Sequence, residues 1–184
     1  METVEFVEFA KIARLNREAI VTEKIDGTNA QVLVNDTGTD LMAGSRNKWI
    51  TPTDDNFGFA SWVEKNKTEL LRLGPGSHFG EWWGAGIGRR YDMKEKKFSL
   101  FNVSRWGVAE TRPKCCDVVP TLWRGSMFEL FEQFNGVVEK LRTGGSVAAP
   151  GFMKPEGVVV FHVASGDLYK YTLDLDGVPK SKVI

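Results

Sequence analysis

Seven short runs of alternating or β-branched residues, at 19–22, 30–35, 40–43, 78–82, 98–103, 157–163 and 168–173, set the strongest limit on the fold. Side chains of a strand alternate between its two faces, so such runs belong in sheets. Glycine-rich turns at 74–76, 84–88 and 144–151 separate several of them. Helical spacing occurs in two places. Across 56–73, Phe57, Ala60, Val63, Leu70 and Leu71 form an apolar side. The second stretch, 126–141, opens on Ser126 with Glu129 three residues later and stops before Gly144 and Gly145, a capping box at one end and a glycine stop at the other. The pattern predicts an α+β domain of mainly antiparallel sheets with flanking helices.

A chain of 184 residues suits one domain with a real core. Its 24 basic and 24 acidic residues cancel, so no general basic coat draws it to polyanions, and only a local field along a groove can do so. Two basic clusters offer such a field: Arg89, Arg90, Lys94, Lys96 and Lys97, and Lys180 with Lys182. The only cysteines, Cys115 and Cys116, are adjacent, which supplies neither a disulfide framework nor zinc spacing. His78 and His162 stand alone and are expected to be structural. The start, Met1 to Glu5, lacks the basic and apolar regions of a signal peptide, and no membrane span is predicted, so the expected location is cytoplasmic.

Against that background, Glu23-Lys24-Ile25-Asp26-Gly27-Thr28-Asn29 is the segment with chemistry in it. An amine that displaces pyrophosphate from the α-phosphate of a nucleoside triphosphate forms a phosphoramidate and splits a hard phosphoryl transfer into easier steps. The attacking amine must be neutral, whereas an ordinary lysine, with a pKa of about 10.4, is protonated. A nearby cation or partial burial is therefore required. Gly27 lets the main chain approach a ligand closely, and Asn29 offers a donor and an acceptor. Standing alone, Lys-x-Asp-Gly reads equally well as a surface hairpin turn.

Other positions bear on the choice. On a strand, Phe79, Glu81 and Trp83 share one face and Gly80, Trp82 and Gly84 the other. A glutamate among aromatics needs a partner: a metal, a ribose hydroxyl or a lysine. Glu156, in Pro155-Glu156-Gly157 before a buried run, can point into a cleft. Two glutamates are what a magnesium ion on phosphates needs, since it takes hard oxygen ligands and keeps several waters. Lys170, between Tyr169 and Tyr171, either snorkels to the surface or faces the α-phosphate. Phe101 reads as core or as a stacking surface for a purine. Arg46 reads as a turn arginine or as a ribose or phosphate contact.

Taken in order, Glu-Lys-Ile-Asp-Gly-Thr-Asn at 23–29, Ser-Arg-Asn at 45–47, Phe-Gly-Glu-Trp-Trp-Gly at 79–84, Phe-Ser-Leu-Phe-Asn-Val at 98–103, Pro-Glu-Gly-Val-Val-Val at 155–160 and Leu-Tyr-Lys at 168–170 resemble the motif series of the covalent nucleotidyltransferases. The likeness is strongest to the RNA ligase 2 family, and Pro120-Thr121-Leu122 resembles that family's proline-x-leucine turn. It covers residues 20–173.

This resemblance implies an ATP-grasp-like ligase adenylation domain that joins RNA ends in three steps. Lys24 takes AMP from ATP, AMP moves to a 5′-phosphate, and a 3′-hydroxyl displaces it. Lys24, Glu81, Glu156 and Lys170 are the implied catalytic residues. Glu23, Ile25, Asn29, Arg46 and Phe101 are the implied nucleotide-binding residues, with Glu23 and Phe101 on adenine and Asn29 serving the sealing steps. Glu81 and Glu156 are the implied ligands of Mg2+, with Mn2+ as the alternative ion. The implied partner is RNA, as a nicked duplex or a broken strand, with DNA or an RNA–DNA hybrid as alternatives. A bacterial or phage-infected cell suits so compact an enzyme.

Three features depart from the family pattern. Asp26 stands where histidine is frequent and is the DNA ligase choice. Lys170-Tyr171-Thr172 replaces Lys-x-Lys. A chain ending at Ile184 is expected to be a minimal domain, 1–184, without an OB-fold or other C-terminal domain, relying on its basic patches or an accessory protein to bind ends. The competing readings are a DNA ligase or GTP-using capping-type core, and a nucleotide-loaded module that binds RNA ends without sealing them.

Overall fold

Strand β1 (Glu18–Lys24) sets the layout, because its alternation sends Ala19, Val21 and Glu23 to one side and Ile20, Thr22 and Lys24 to the other. The structure is a computed structural model that describes residues 5–174, so Met1 to Val4 and the Lys180 and Lys182 cluster lie outside the described residues. After β1 come β2 (Thr28–Val34), β3 (Leu41–Gly44), β4 (Trp49–Ile50), α1 (Phe59–Lys65), α2 (Lys67–Leu70), β5 (Gly76–Gly84), β6 (Lys96–Leu100) and α3 (Val103–Trp106). The order continues with β7 (Cys116–Val118), β8 (Thr121–Ser126), α4 (Met127–Gly144), β9 (Gly157–His162) and β10 (Asp167–Thr172).

The strands form a four-stranded sheet, β10-β9-β1-β8, and a six-stranded sheet, β4-β3-β2-β5-β6-β7. All pairings are antiparallel except β6 with β7. The four-stranded sheet packs Ala19, Val21, Val158 and Val160 against Met127, Leu130, Val138 and Leu141 of α4. The six-stranded sheet packs Val32, Val34, Trp82, Phe98 and Leu100 against Phe59, Val63, Leu70 and Leu73. Each fully buried side chain of this size contributes roughly 1.5–3 kcal/mol. A third cluster, Ile25, Trp83, Tyr91, Val119 and Ala149, joins the loops around the end of β1. The α+β, mainly antiparallel architecture is the one the sequence pattern predicts.

Helix α4 carries the capping box expected from Ser126 and Glu129. The stretch 56–73 is not one helix: Asn66 divides it, its Nδ2 donating to the Trp62 carbonyl at 2.8 Å, and a 3-10 turn at Leu71–Leu73 ends it. β6 stops at Leu100 rather than running to 103, because Asn102 turns away to cap α3 through its side chain. Strands β4, β7 and β8 were not expected. The cysteines are free, with their sulfurs 4.0 Å apart. His78 and His162 hydrogen-bond to the Gly74 and Leu15 carbonyls.

Candidate active site

Lys24 is the last residue of β1, on the face turned away from α4, and only about a quarter of its side chain is exposed (24%). Its Nζ lies 2.7 Å from Oε2 of Glu156, which is almost fully buried at the mouth of β9. The Lys24–Gly157 pairing between β1 and β9 puts that carboxylate beside the amine. Glu81 approaches from the other sheet. Its carboxylate accepts from the Gly27 N–H at 3.0 Å and from Asn29 Nδ2 at 3.2 Å. Burial pushes its carboxyl up to about 7, while the Lys24 charge and these two donors pull down and the Glu156 charge adds to the rise.

The turn after Lys24 is held at each residue. Ile25 is buried in the cluster with Trp83 and Tyr91. The Asp26 N–H donates to the Tyr91 hydroxyl at 2.8 Å, and the Asp26 carboxylate lies 3.4 Å from Nε of Arg89. Gly27 passes so close to β5 that a Cβ there would sit 2.4 Å from the Trp82 carbonyl oxygen and 2.7 Å from Cβ of Trp83. Only glycine fits.

These contacts revise two roles. Ile25 cannot offer its side chain to a nucleotide, because packing consumes it. Glu23 points away from Lys24, and its buried carboxylate accepts from Ser146 Oγ at 2.6 Å, Val147 N at 2.8 Å and Ala148 N at 2.9 Å. Its side chain therefore fastens the 146–148 segment and is not free to contact adenine. Asn29 is beside Glu81 on the cleft. Phe101 is 40% exposed just past β6, where the alternation of that strand places it on the Glu81 face. Arg46 is exposed at the rim of a cavity of about 260 Å³ lined by Thr28, Ser45, Lys48, Asp55 and Asn56.

Lys170 is exposed on β10. The registers Thr22–Val159–Lys170 and Lys24–Gly157–Thr172 put it on the same sheet face as Lys24, roughly 12 Å away along the backbone positions. Thr172 occupies the row beside Lys24, where the second lysine of a Lys-x-Lys motif would stand. The expected basic cluster is dispersed: Arg89 binds Asp26 and Asp174, Lys96 donates to the Phe57 carbonyl, and Lys97 pairs with Asp117.

The donor set fits a divalent cation. Among the described residues no three of His, Cys, Asp and Glu gather into an all-protein metal site. Glu81 and Glu156 flank Lys24, Glu156 Oε1 accepts no hydrogen bond among the described residues, and each Glu81 oxygen keeps a second lone pair. Two hard carboxylates with room left for phosphate oxygens and water suit Mg2+ or Mn2+.

Tyr91 and Ser146 were missed by sequence reasoning, and Arg89 was noted only as part of a basic cluster. Arg90, Tyr91 and Asp92 have successive positive φ angles of 61°, 49° and 53°. Such a run is costly without glycine and is found where a structure is committed to one geometry.

Comparison with known proteins follows the same lines. Three structures of a Naegleria gruberi RNA ligase share this fold: a glutamate-to-alanine variant with ATP and Mn (TM-score 0.65, 20% identity), the enzyme with PPi (0.63, 21%) and another glutamate-to-alanine variant with AMP and Mn (0.62, 18%). Each covers 86–87% of this chain, which in turn spans only about half the length of those proteins (50–51%). No curated protein matches. No helix among the described residues is long and apolar enough to cross a membrane. The family model for RNA ligase matches residues 17–172, from the start of β1 to the end of β10, and so takes in Lys24, both glutamates and Lys170: the chain belongs to the RNA ligase family.

Proposed function

We propose that the chain is the adenylyltransferase unit of an ATP-dependent RNA ligase, with Lys24 as the nucleophile. The observation that carries this reading is the Lys24–Glu156 contact at 2.7 Å, with Glu81 fixing the very next turn of chain. Lys24 Nζ passes its proton to water at the cleft mouth, swings from Glu156, and attacks the α-phosphorus of ATP. The new P–N bond forms as the P–O bond to pyrophosphate breaks. AMP then passes to a 5′-phosphate, returning Lys24 as the amine, and a 3′-hydroxyl displaces AMP to leave a phosphodiester.

Glu81 and Glu156 would hold a divalent cation, which would supply charge neutralisation at the phosphates. Lys170 reaches over the shared sheet face toward the α-phosphate, where a fixed cation stabilises the charge of the transition state. Phe101 stacks on the adenine, and Asn29 and Arg46 serve the polynucleotide and ribose side of the cleft. The Naegleria structures with ATP, AMP, PPi and Mn support this assignment of ligands by likeness of fold.

Incubation with α-labelled ATP and Mg2+, followed by a denaturing gel, tests it. Label on the wild-type chain that is absent from Lys24→Ala is expected, together with sealing of a nicked RNA duplex. An unlabelled wild type, or label retained by Lys24→Ala, overturns the reading. Parallel nicks in RNA, DNA and hybrid duplexes decide the acceptor, which Asp26 leaves open.

A further inference from the structure

The six-stranded sheet is covered on one face by α1 and α2, but its other face is only partly closed. At the Glu81, Trp83 and Ser99 end that face is buried. One step back along the strands it opens to solvent. The pairings Trp49–Gly44, Gly44–Gln31 and Gln31–Phe79 set these residues in a single row across β4, β3, β2 and β5. Trp49 is 48% exposed and Phe79 55%. Trp49 leans over Gly44, where a Cβ would come within 3.1 Å of its ring, so even an alanine methyl would displace the indole by a few tenths of an ångström. Gln31, with Nε2 bonded to Ser77 Oγ at 2.8 Å, lies between the rings.

We propose that this row is a stacking platform for unpaired nucleotides of the RNA strand next to the reacting end. It rests on the RNA ligase reading of the Lys24 site. Position is the main support. The next row of the same face carries Asn29 paired with Glu81, one residue pair and roughly 7 Å away. A strand whose end lies at Glu81 and that follows the open part of this face passes over Phe79.

Spacing agrees. Indole over Gly44 and phenyl on β5 are about two strand spacings apart, roughly 10 Å, which suits successive bases rather than one. Chemistry agrees too: exposed aromatics on an open sheet stack bases without regard to sequence, as a joining enzyme requires.

The test uses the full chain and a 5′-phosphorylated single-stranded RNA with a fluorescent label, read by anisotropy, with Trp49→Leu and Phe79→Leu as variants. Both positions are exposed, so leucine preserves the fold while removing the ring. Each substitution is expected to weaken binding about 5- to 150-fold, the range that about 1 to 3 kcal/mol per stacked base implies. An RNA with abasic sites at the two nucleotides nearest the end loses both stacks, so it should bind wild type more weakly than either variant binds the intact RNA, and the variants should bind it no more weakly than wild type does. Labelling of Lys24 by ATP should be unchanged. Wild-type RNA affinity in both variants overturns the platform, as does a change confined to self-association of the chain, which would mark the face as a protein contact. Failure of Lys24 labelling in the wild type would instead overturn the ligase reading.

Discussion

Replacing Gly27 by alanine isolates the closest approach in the site. The added Cβ would stand 2.4 Å from the Trp82 carbonyl oxygen, 2.7 Å from Cβ of Trp83 and 3.0 Å from Cγ of Glu81. Two of these neighbours belong to the framework of a central strand and cannot rotate away. The nearest contact must open to at least about 3.0 Å, so the turn shifts by about 0.6 Å or more. Overpacking of this kind costs about 1–3 kcal/mol. For a chain of this size that lowers Tm by about 2–4 °C per kcal/mol. The kinetic loss should be larger than the stability loss, because the shift stretches the Gly27–Glu81 hydrogen bond and moves the chain three residues from Nζ. A displacement near 1 Å can cost about 100-fold in rate. Gly136→Ala is the control. It lies inside α4 with nothing within 4 Å of the new methyl, and glycine in a helix is worse than alanine by about 0.5–1 kcal/mol. Thermal melts and single-turnover labelling with α-labelled ATP should thus show opposite signs in Tm for one chemical change, with labelling lost only in Gly27→Ala. Wild-type Tm and labelling in Gly27→Ala, or destabilisation by Gly136→Ala, would refute the steric argument.

Tyr91→Phe leaves the Asp26 N–H without its partner and should cost about 1–3 kcal/mol in denaturant unfolding, with slower labelling of Lys24. Glu23→Ala abandons three donors of the 146–148 segment and should destabilise by at least about 2 kcal/mol, whereas Glu23→Gln, which can accept from the two N–H groups and donate to Ser146 Oγ, should recover most of it in the same assay. Burial lowers the His78 pKa below its ordinary 6.5, and the Arg105 charge adds to this against the Gly74 hydrogen bond. The folded chain therefore resists protonation: the contribution of His78 is complete above pH 6.5 and is lost as pH falls, and His78→Gln should flatten the decline in urea stability below that value.

The parts legible in the sequence were those written in local pattern. Period-two alternation set Phe79, Glu81 and Trp83 on one face of β5, and the structure turns Glu81 and Trp83 of that set inward together. Ordered motifs brought Lys24, Glu81 and Glu156 to the same cleft although up to 132 residues separate them. What stayed hidden was written in tertiary contact. β8 was missed because the register shift between Val21 and Thr22 interrupts its pairing, and because Arg124 and Gly125 spoil its apolar character. The family resemblance implied Glu23 as an adenine contact, yet alternation already turned its side chain to the face opposite Lys24, and its partners lie 123 to 125 residues away. No spacing rule announces Tyr91, since left-handed backbone at three successive non-glycine residues leaves no periodic trace.

That strained run and the turn after Lys24 are best understood as one object. Each non-glycine residue in the left-handed region costs on the order of 1 kcal/mol or more, and such strain persists only where surrounding contacts over-determine it. Here the contacts are the Tyr91 ring against Trp83 and Phe152, with centroids 5.0 and 4.7 Å away, and its hydroxyl on the Asp26 N–H. Arg89 adds the Asp26 and Asp174 carboxylates and the Lys154 carbonyl, tying the turn after β1 to the segments on either side of Glu156. Glu81 closes the remaining side through the Gly27 N–H. The main chain from Ile25 to Gly27 is thus fixed from both sheets, while among the described residues the Lys24 side chain has one polar contact, Glu156. In the proposed reaction, a site built this way holds the backbone still through those contacts and leaves the swing of the Lys24 amine as the motion that starts the chemistry.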